Sequence, residues 1–145
     1  MAVSNTLKSP MEITLKNLQK KIPIPQAKIL KAAKAASCKL EKKGDTLTCP
    51  FLSIVFVGTK RMRAVNKHFL GHDYVTDVLT FDLQEGQAEI IICPQVASIN
   101  ARIHQSSTEK EILLYVVHGI LHLAGYDDHK PKDILMMRKM EKELL

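Results

Sequence analysis

From Met11 to Asn17 the chain reads Met-Glu-Ile-Thr-Leu-Lys-Asn, apolar at 11, 13 and 15, the period of a half-buried strand. Pro23 and Pro25 interrupt it. From about Pro25 to Lys42 the period changes, and Ile29, Leu30, Ala33, Ala36 and Leu40 fall on one face of an amphipathic helix. Its outer face carries Lys28, Lys31, Lys34 and Lys39. Gly44-Asp45 makes a turn, and Phe51 to Val57 is a β-rich apolar run ending at Gly58. Thr59 is placed to cap a short basic helix from Lys60 to Phe69. Past Gly71-His72-Asp73, the runs Val78–Phe81 and Ala88–Cys93 predict two strands joined through the Glu85-Gly86 turn, the second of them central in its sheet. Pro94 opens a helix bearing Val96, Ile99 and Ile103 and ending near His104. Thr108-Glu109-Lys110-Glu111 has the form of a capping box for the next helix, and a last amphipathic helix covers Asp133 to Leu145. The order β-α-β-α-β-β-α-α-α predicts one α+β domain over residues 1–145, a mixed four-stranded sheet packed with about five helices.

The helix predicted after residue 108 carries the candidate chemistry. Leu113, Val116, Val117, Ile120, Leu121 and Ala124 form its apolar stripe, while Ile112 and Leu123 extend the apolar surface well beyond it. Such a helix is buried nearly all round. His118 and His122 stand on roughly the opposite side with Glu111 and Tyr115 as neighbours, so they are expected to line a cleft. At about 100° per residue they lie roughly 40° apart, and both imidazoles can reach a single ion. Histidines four apart also occur in ordinary polar seams, but here Gly125 follows, a residue that accepts the left-handed conformation that reverses the chain. The reversal brings Asp128 or His129 back as a third ligand, which leaves one position for water, the mark of a catalytic zinc. A helix-borne zinc peptidase would read His-Glu-x-x-His, with the glutamate as base; here that position is Gly119, which disfavours peptide hydrolysis.

Composition narrows the setting. Of 145 residues 46% are hydrophobic and 25% charged, ordinary for a globular domain. Met1 to Pro10 is polar, with Lys8 and no apolar run of signal-peptide length, and no stretch approaches the ~20 apolar residues of a membrane span, so a cytosolic protein without membrane contact is expected. Cys38, Cys49 and Cys93 are odd in number and form no Cys-x-x-Cys pair; they read as reduced thiols, Cys93 as core. Residues 1–50 hold ten lysines against three acids, whereas residues 51–145 hold eleven Lys or Arg against twelve acids. The basic first third favours a polyanion such as nucleic acid, although a solvated lysine-rich helix has the same look.

Three blocks resemble one family. His118-Gly-Ile-Leu-His122-Leu-Ala-Gly-Tyr-Asp-Asp128 is similar to the His-Gly-x-Leu-His-Leu-x-Gly-Tyr-Asp-His motif of the YbeY-type endoribonucleases. Asn66 to Phe81, with Thr76-Asp-Val-Leu-Thr-Phe81, resembles that family's Asn-x-x-Tyr-Arg-Gly-x-Asp-x-x-Thr-Asp-Val-Leu-Ser-Phe, and Glu89 to Cys93 its Asp-Ile-x-Ile strand. The resemblance covers the chain from about Glu12 onward. It implies a zincin-like metal helix and a cytosolic, zinc-dependent endoribonuclease directed at single strands. Its implied task is maturation of the 3′ end of 16S ribosomal RNA, with small-subunit quality control, and its implied cofactor one Zn2+ per chain.

Two departures bear on the site. The family's third histidine falls on Asp128, with His129 one place late; three-histidine sites being the family's rule, His129 is slightly preferred. Where the family has an arginine after its tyrosine, this chain has Leu70, so Arg61, Arg63, Lys67 or His72 becomes the candidate to hold the phosphate. His118, His122, Arg61, Arg63 and His72 are accordingly the candidate catalytic residues. Tyr74, Phe69 and Tyr126 are candidate stacking platforms for bases, core packing being the commoner role for each. Two other classes share the features: a ribosome assembly factor stabilised by its metal, and a metal-dependent hydrolase of a small substrate.

Overall fold

The computed structural model describes residues 11–45, 47 and 49–145; the polar Met1–Pro10 segment and its Lys8 lie outside them. The order is β1 (Glu12–Asn17), α1 (Gln26–Lys42), β2 (Phe51–Phe56), α2 (Thr59–Leu70), β3 (Val78–Leu83), β4 (Gln87–Ile92), α3 (Pro94–Ile103), α4 (Thr108–Leu123) and α5 (Pro131–Leu144). The sheet order is β1-β2-β4-β3, with β1, β2 and β4 parallel and β3 antiparallel to β4. This is the mixed α+β sheet expected, with β4 inside it.

Side-chain alternation in the central strands splits the core in two. Leu52, Ile54 and Phe56 of β2 and Ala88, Ile90 and Ile92 of β4 join the main cluster, formed with α1, α4 and α5. Val55 and Ile91 face the other way and pack with Met62 of α2, Leu79 and Cys93. Ile112, Val116, Val117, Ile120 and Leu121 of α4 are fully buried, which a helix between the sheet, α1, α3 and α5 requires. Cys93 is buried as expected, Cys49 also, and Cys38 is exposed; all three are free thiols.

Three helix starts differ from expectation, each for a local reason. Thr59 is the first residue of α2 rather than its cap; Gly58 takes the cap position, and the Thr59 N–H donates to Gln95 Oε1 at 3.2 Å. In α4 the cap is Ser107, whose Oγ accepts from the Lys110 N–H at 3.2 Å. That makes Glu111 the fourth helical residue, too far round to reach back to the cap. Instead Glu111 is buried and pairs with His104 Nδ1 at 3.2 Å. Helix α5 begins at Pro131, whose fixed φ suits the first helical position, two residues before the expected Asp133.

Candidate active site

The C-terminal end of α4 is closed by Gly125 at φ +98, a conformation open to glycine and costly to other residues. The Gly125 N–H donates to the His122 carbonyl and the Tyr126 N–H to the Leu121 carbonyl, both at 3.0 Å, which is the Schellman arrangement. Tyr126 packs against the main core, and its hydroxyl donates to Asp45 Oδ2 at 2.9 Å. Tyr126 is thus a structural anchor, tying the turn to the end of α1. The chain beyond it runs back toward α4.

Three ligand-type groups converge there. His118 Nε2 and His122 Nε2 are 3.0 Å apart, and Asp128 Oδ2 lies 3.3 Å from the first and 3.6 Å from the second. Donors held about 2.0–2.1 Å from one tetrahedral ion stand about 3.3 Å from each other, so the triangle fits a single zinc-sized ion. The two imidazoles and one carboxylate are ligands that zinc accepts. His129 also lines the cleft, but its side chain is 85% exposed and its Nε2 meets Asp127 Oδ1 at 3.4 Å instead of the histidine pair. The residue grouped with His118 and His122 is thus Asp128 rather than the slightly preferred His129, one residue of register deciding which side chain stands beside the pair.

A buried carboxylate stands behind His118. Glu141, on α5, accepts from His118 Nδ1 at 2.8 Å, and its second oxygen accepts from Arg138 Nη1 at 3.0 Å. Burial alone would raise the Glu141 carboxyl, but the hydrogen bonds from His118 and Arg138, with their charges, outweigh it and hold it below the ordinary glutamate range. His122 edges onto His118 in a T-shaped pair with centroids 4.6 Å apart.

The cluster opens into a cleft of about 740 Å³ between α4, α5, β3 and the segment after α2. Its lining includes Asp77, Asp82, Asp127, Asp128 and Glu141, and Arg138 is the one lysine or arginine among the lining residues. His72 lines it as well, stacked on Tyr74 with Nδ1 3.2 Å from the tyrosine oxygen. Arg61 is exposed and does not line the cleft; Arg63 and Lys67 lean on Asp73 at 2.8 and 3.7 Å. Of the four basic candidates only His72 reaches the cleft, since α2 turns its basic face to solvent and to Asp73. Leu70 lines the cleft as an apolar group. Tyr74 and Phe69 are 55% and 63% exposed, so core packing is not their role; Phe69 also meets Phe81 with ring centroids 5.3 Å apart.

Buried Asn66 shapes this rim. Its Nδ2 donates to the Tyr74 carbonyl at 3.0 Å, and its main-chain carbonyl accepts from the His72 N–H at 3.3 Å, so α2 dictates the path of residues 72–74. One turn back along the histidine face of α4, Asn100 Nδ2 donates to the Tyr115 hydroxyl at 2.7 Å, and burial pushes that phenol well above its ordinary range.

A sequence profile described as Endoribonuclease YbeY matches residues 14–145. The chain belongs to the endoribonuclease YbeY family. Relatives bearing that name include one from Chlorobium phaeovibrioides, 34% identical over 93% of this chain and 89% of that protein. Another, from Thermotoga neapolitana, is 42% identical over 63% of this chain, and there the match spans 61% of the relative's length. A Thermotoga maritima protein with a known solution structure superimposes with a TM-score of 0.57 at 33% identity, covering 91% of this chain and 88% of that one. For a YbeY-family chain, Arg138 and Glu141 are the site residues that sequence reasoning missed. Their signal was present, an Arg and a Glu three apart on the helix just after the Gly125 turn, but nothing in the sequence says which face of that helix meets α4.

Proposed function

We propose that the chain is a zinc-dependent endoribonuclease that cuts single-stranded RNA in 16S ribosomal RNA 3′-end maturation and small-subunit quality control in the cytoplasm. One zinc per chain is held by His118, His122 and Asp128. The carrying observation is the convergence of two Nε2 atoms and one carboxylate oxygen, 3.0 to 3.6 Å apart, at a cleft wall. Charge supports it from a second side. Five carboxylates against one guanidinium disfavour a phosphodiester, and a bound cation would shift the local balance toward a polyanion.

Cleavage of RNA is in-line displacement at phosphorus, by the neighbouring 2′-hydroxyl or by water. When bound, zinc supplies Lewis acidity to a phosphoryl oxygen and lowers the pKa of its water. The protein's own groups do the rest. Arg138 spends Nη1 on Glu141 and keeps its other donors for a phosphate oxygen. His72 has Nδ1 at the Tyr74 hydroxyl, which leaves Nε2 to exchange a proton with the attacking or leaving oxygen. Exposed Phe69 and Tyr74 offer base-stacking faces beside the cleft, which suits unpaired nucleotides. The lysines of α1 supply the long-range attraction.

The test is elemental analysis of purified protein alongside cleavage of single-stranded RNA, for wild type and for His118→Ala, His122→Ala, Asp128→Ala and His129→Ala. About one zinc per chain, lost with cleavage in the first three variants and retained in His129→Ala, is expected. Stoichiometric zinc without RNA cleavage, but with salt-sensitive RNA binding, would move the reading to an assembly factor. Salt-insensitive turnover of a neutral small substrate would favour the third class. Failure to bind zinc even when supplied would refute the metal centre.

A further inference from the structure

The two histidines of α4 are not equivalent. His118 is backed by a carboxylate, and no hydrogen bond to His122 Nδ1 is seen among the described residues. Glu141 is 4% exposed, comes from a different helix 23 residues further along the chain, and is itself pinned by Arg138. An ionised carboxylate can only accept, so its partner atom must carry a proton. A neutral His118 therefore has its hydrogen on Nδ1 and its lone pair on Nε2, the atom facing His122 and Asp128. Solvent alone would favour neither this tautomer nor this ring angle.

We propose that Glu141 is the positioning residue of the metal centre: it selects the Nδ1–H tautomer of His118 and aims Nε2 at the ion, with Arg138 fixing the carboxylate in turn. The proposal rests on the metal reading above but has its own observable. In the Arg138–Glu141–His118 chain each link is a charge-assisted hydrogen bond, at 3.0 and 2.8 Å. The arrangement also joins α5 to the site. A helix contributing no ligand thereby controls metal affinity, and Arg138, the one lysine or arginine among the described cleft-lining residues, sits at the outer end of the same chain.

The experiment has two parts, on full-length protein. The first is 15N NMR of the imidazoles in metal-free wild type, Glu141→Gln and Glu141→Ala at neutral pH. His118 should show the Nδ1–H pattern in wild type and in Glu141→Gln, whose amide oxygen still accepts, and should become a tautomer mixture in Glu141→Ala. The second is zinc affinity by competition with a chromophoric chelator. Loss of a group backing a ligand commonly weakens metal binding by about 10–100-fold, and that loss is expected for Glu141→Ala, with most of it recovered in Glu141→Gln. Wild-type His118 in the Nε2–H form would overturn the proposal even if Glu141→Ala fails to fold. So would unchanged zinc affinity in a folded Glu141→Ala. Wild type that binds no zinc while showing the Nδ1–H pattern would refute the metal reading and leave the tautomer assignment standing.

Discussion

Gly119 explains why this helix cannot carry the glutamate of a peptidase. A Cβ built there would stand 2.7 Å from Ile90 Cδ1 and 3.0 Å from both Ile90 Cγ1 and Cγ2. Ordinary carbon–carbon contact is about 3.5–4.0 Å, so the shortfall is close to 1 Å. Ile90 is fully buried at the centre of β4, and rotating it moves the clash to other packed atoms. In Gly119→Ala the helix must therefore lift from the sheet. Overpacking of this kind costs about 1–3 kcal/mol, offset by about 1 kcal/mol from replacing a helical glycine with alanine. The expected net is a destabilisation of up to about 2 kcal/mol, read by calorimetry as a Tm lower by up to about 6 °C. Zinc affinity should fall too, because His118 and His122 move with α4 while Asp128 and Glu141 do not. Ile90→Val removes the nearest atom, so the double variant should recover part of the loss; its coupling with Gly119→Ala should be about 1 kcal/mol in the favourable direction. A rise in Tm for Gly119→Ala, as at an open helix position, would refute the close approach, as would strict additivity in the double variant.

Ser107→Ala removes the side-chain cap of α4 and should cost about 1 kcal/mol by denaturant titration, while Thr108→Ala should cost little. The Tyr115 phenol, raised by burial, should stay protonated in ultraviolet titration beyond the ordinary tyrosine range, and Tyr115→Phe should delete that late step. The sign follows. A raised folded pKa gives stability that is complete below the ordinary tyrosine value of about 10 and lost as pH climbs above it. Glu141 has the opposite sign: its lowered pKa gives stability present above about pH 4.3 and lost as pH falls further, so the acid decline in Tm should be shallower in Glu141→Gln.

Much of this protein was legible along the chain. The strand and helix periods of residues 11–17, 51–57 and 113–124 predict elements because one face of each must be apolar wherever the chain packs. The His118–His122 spacing and Gly125 announce a turn that gathers ligand-type side chains because both depend on backbone geometry over a few residues. Capping failed by one residue at Ser107 and Thr59, where neighbouring Ser, Thr and Gly compete for the same position and packing picks the winner. The rest needed the tertiary structure. Whether Asp128 or His129 stands beside the two histidines depends on how Tyr126 seats against the core and against Asp45, 81 residues away in the chain. Arg63 is held by Asp73 outside the cleft, whereas Arg138 and Glu141 enter it from α5. Sequence patterns report which face of an element is buried; which side chains share a site depends on how two such faces meet, and that is settled by contacts between residues far apart in the chain.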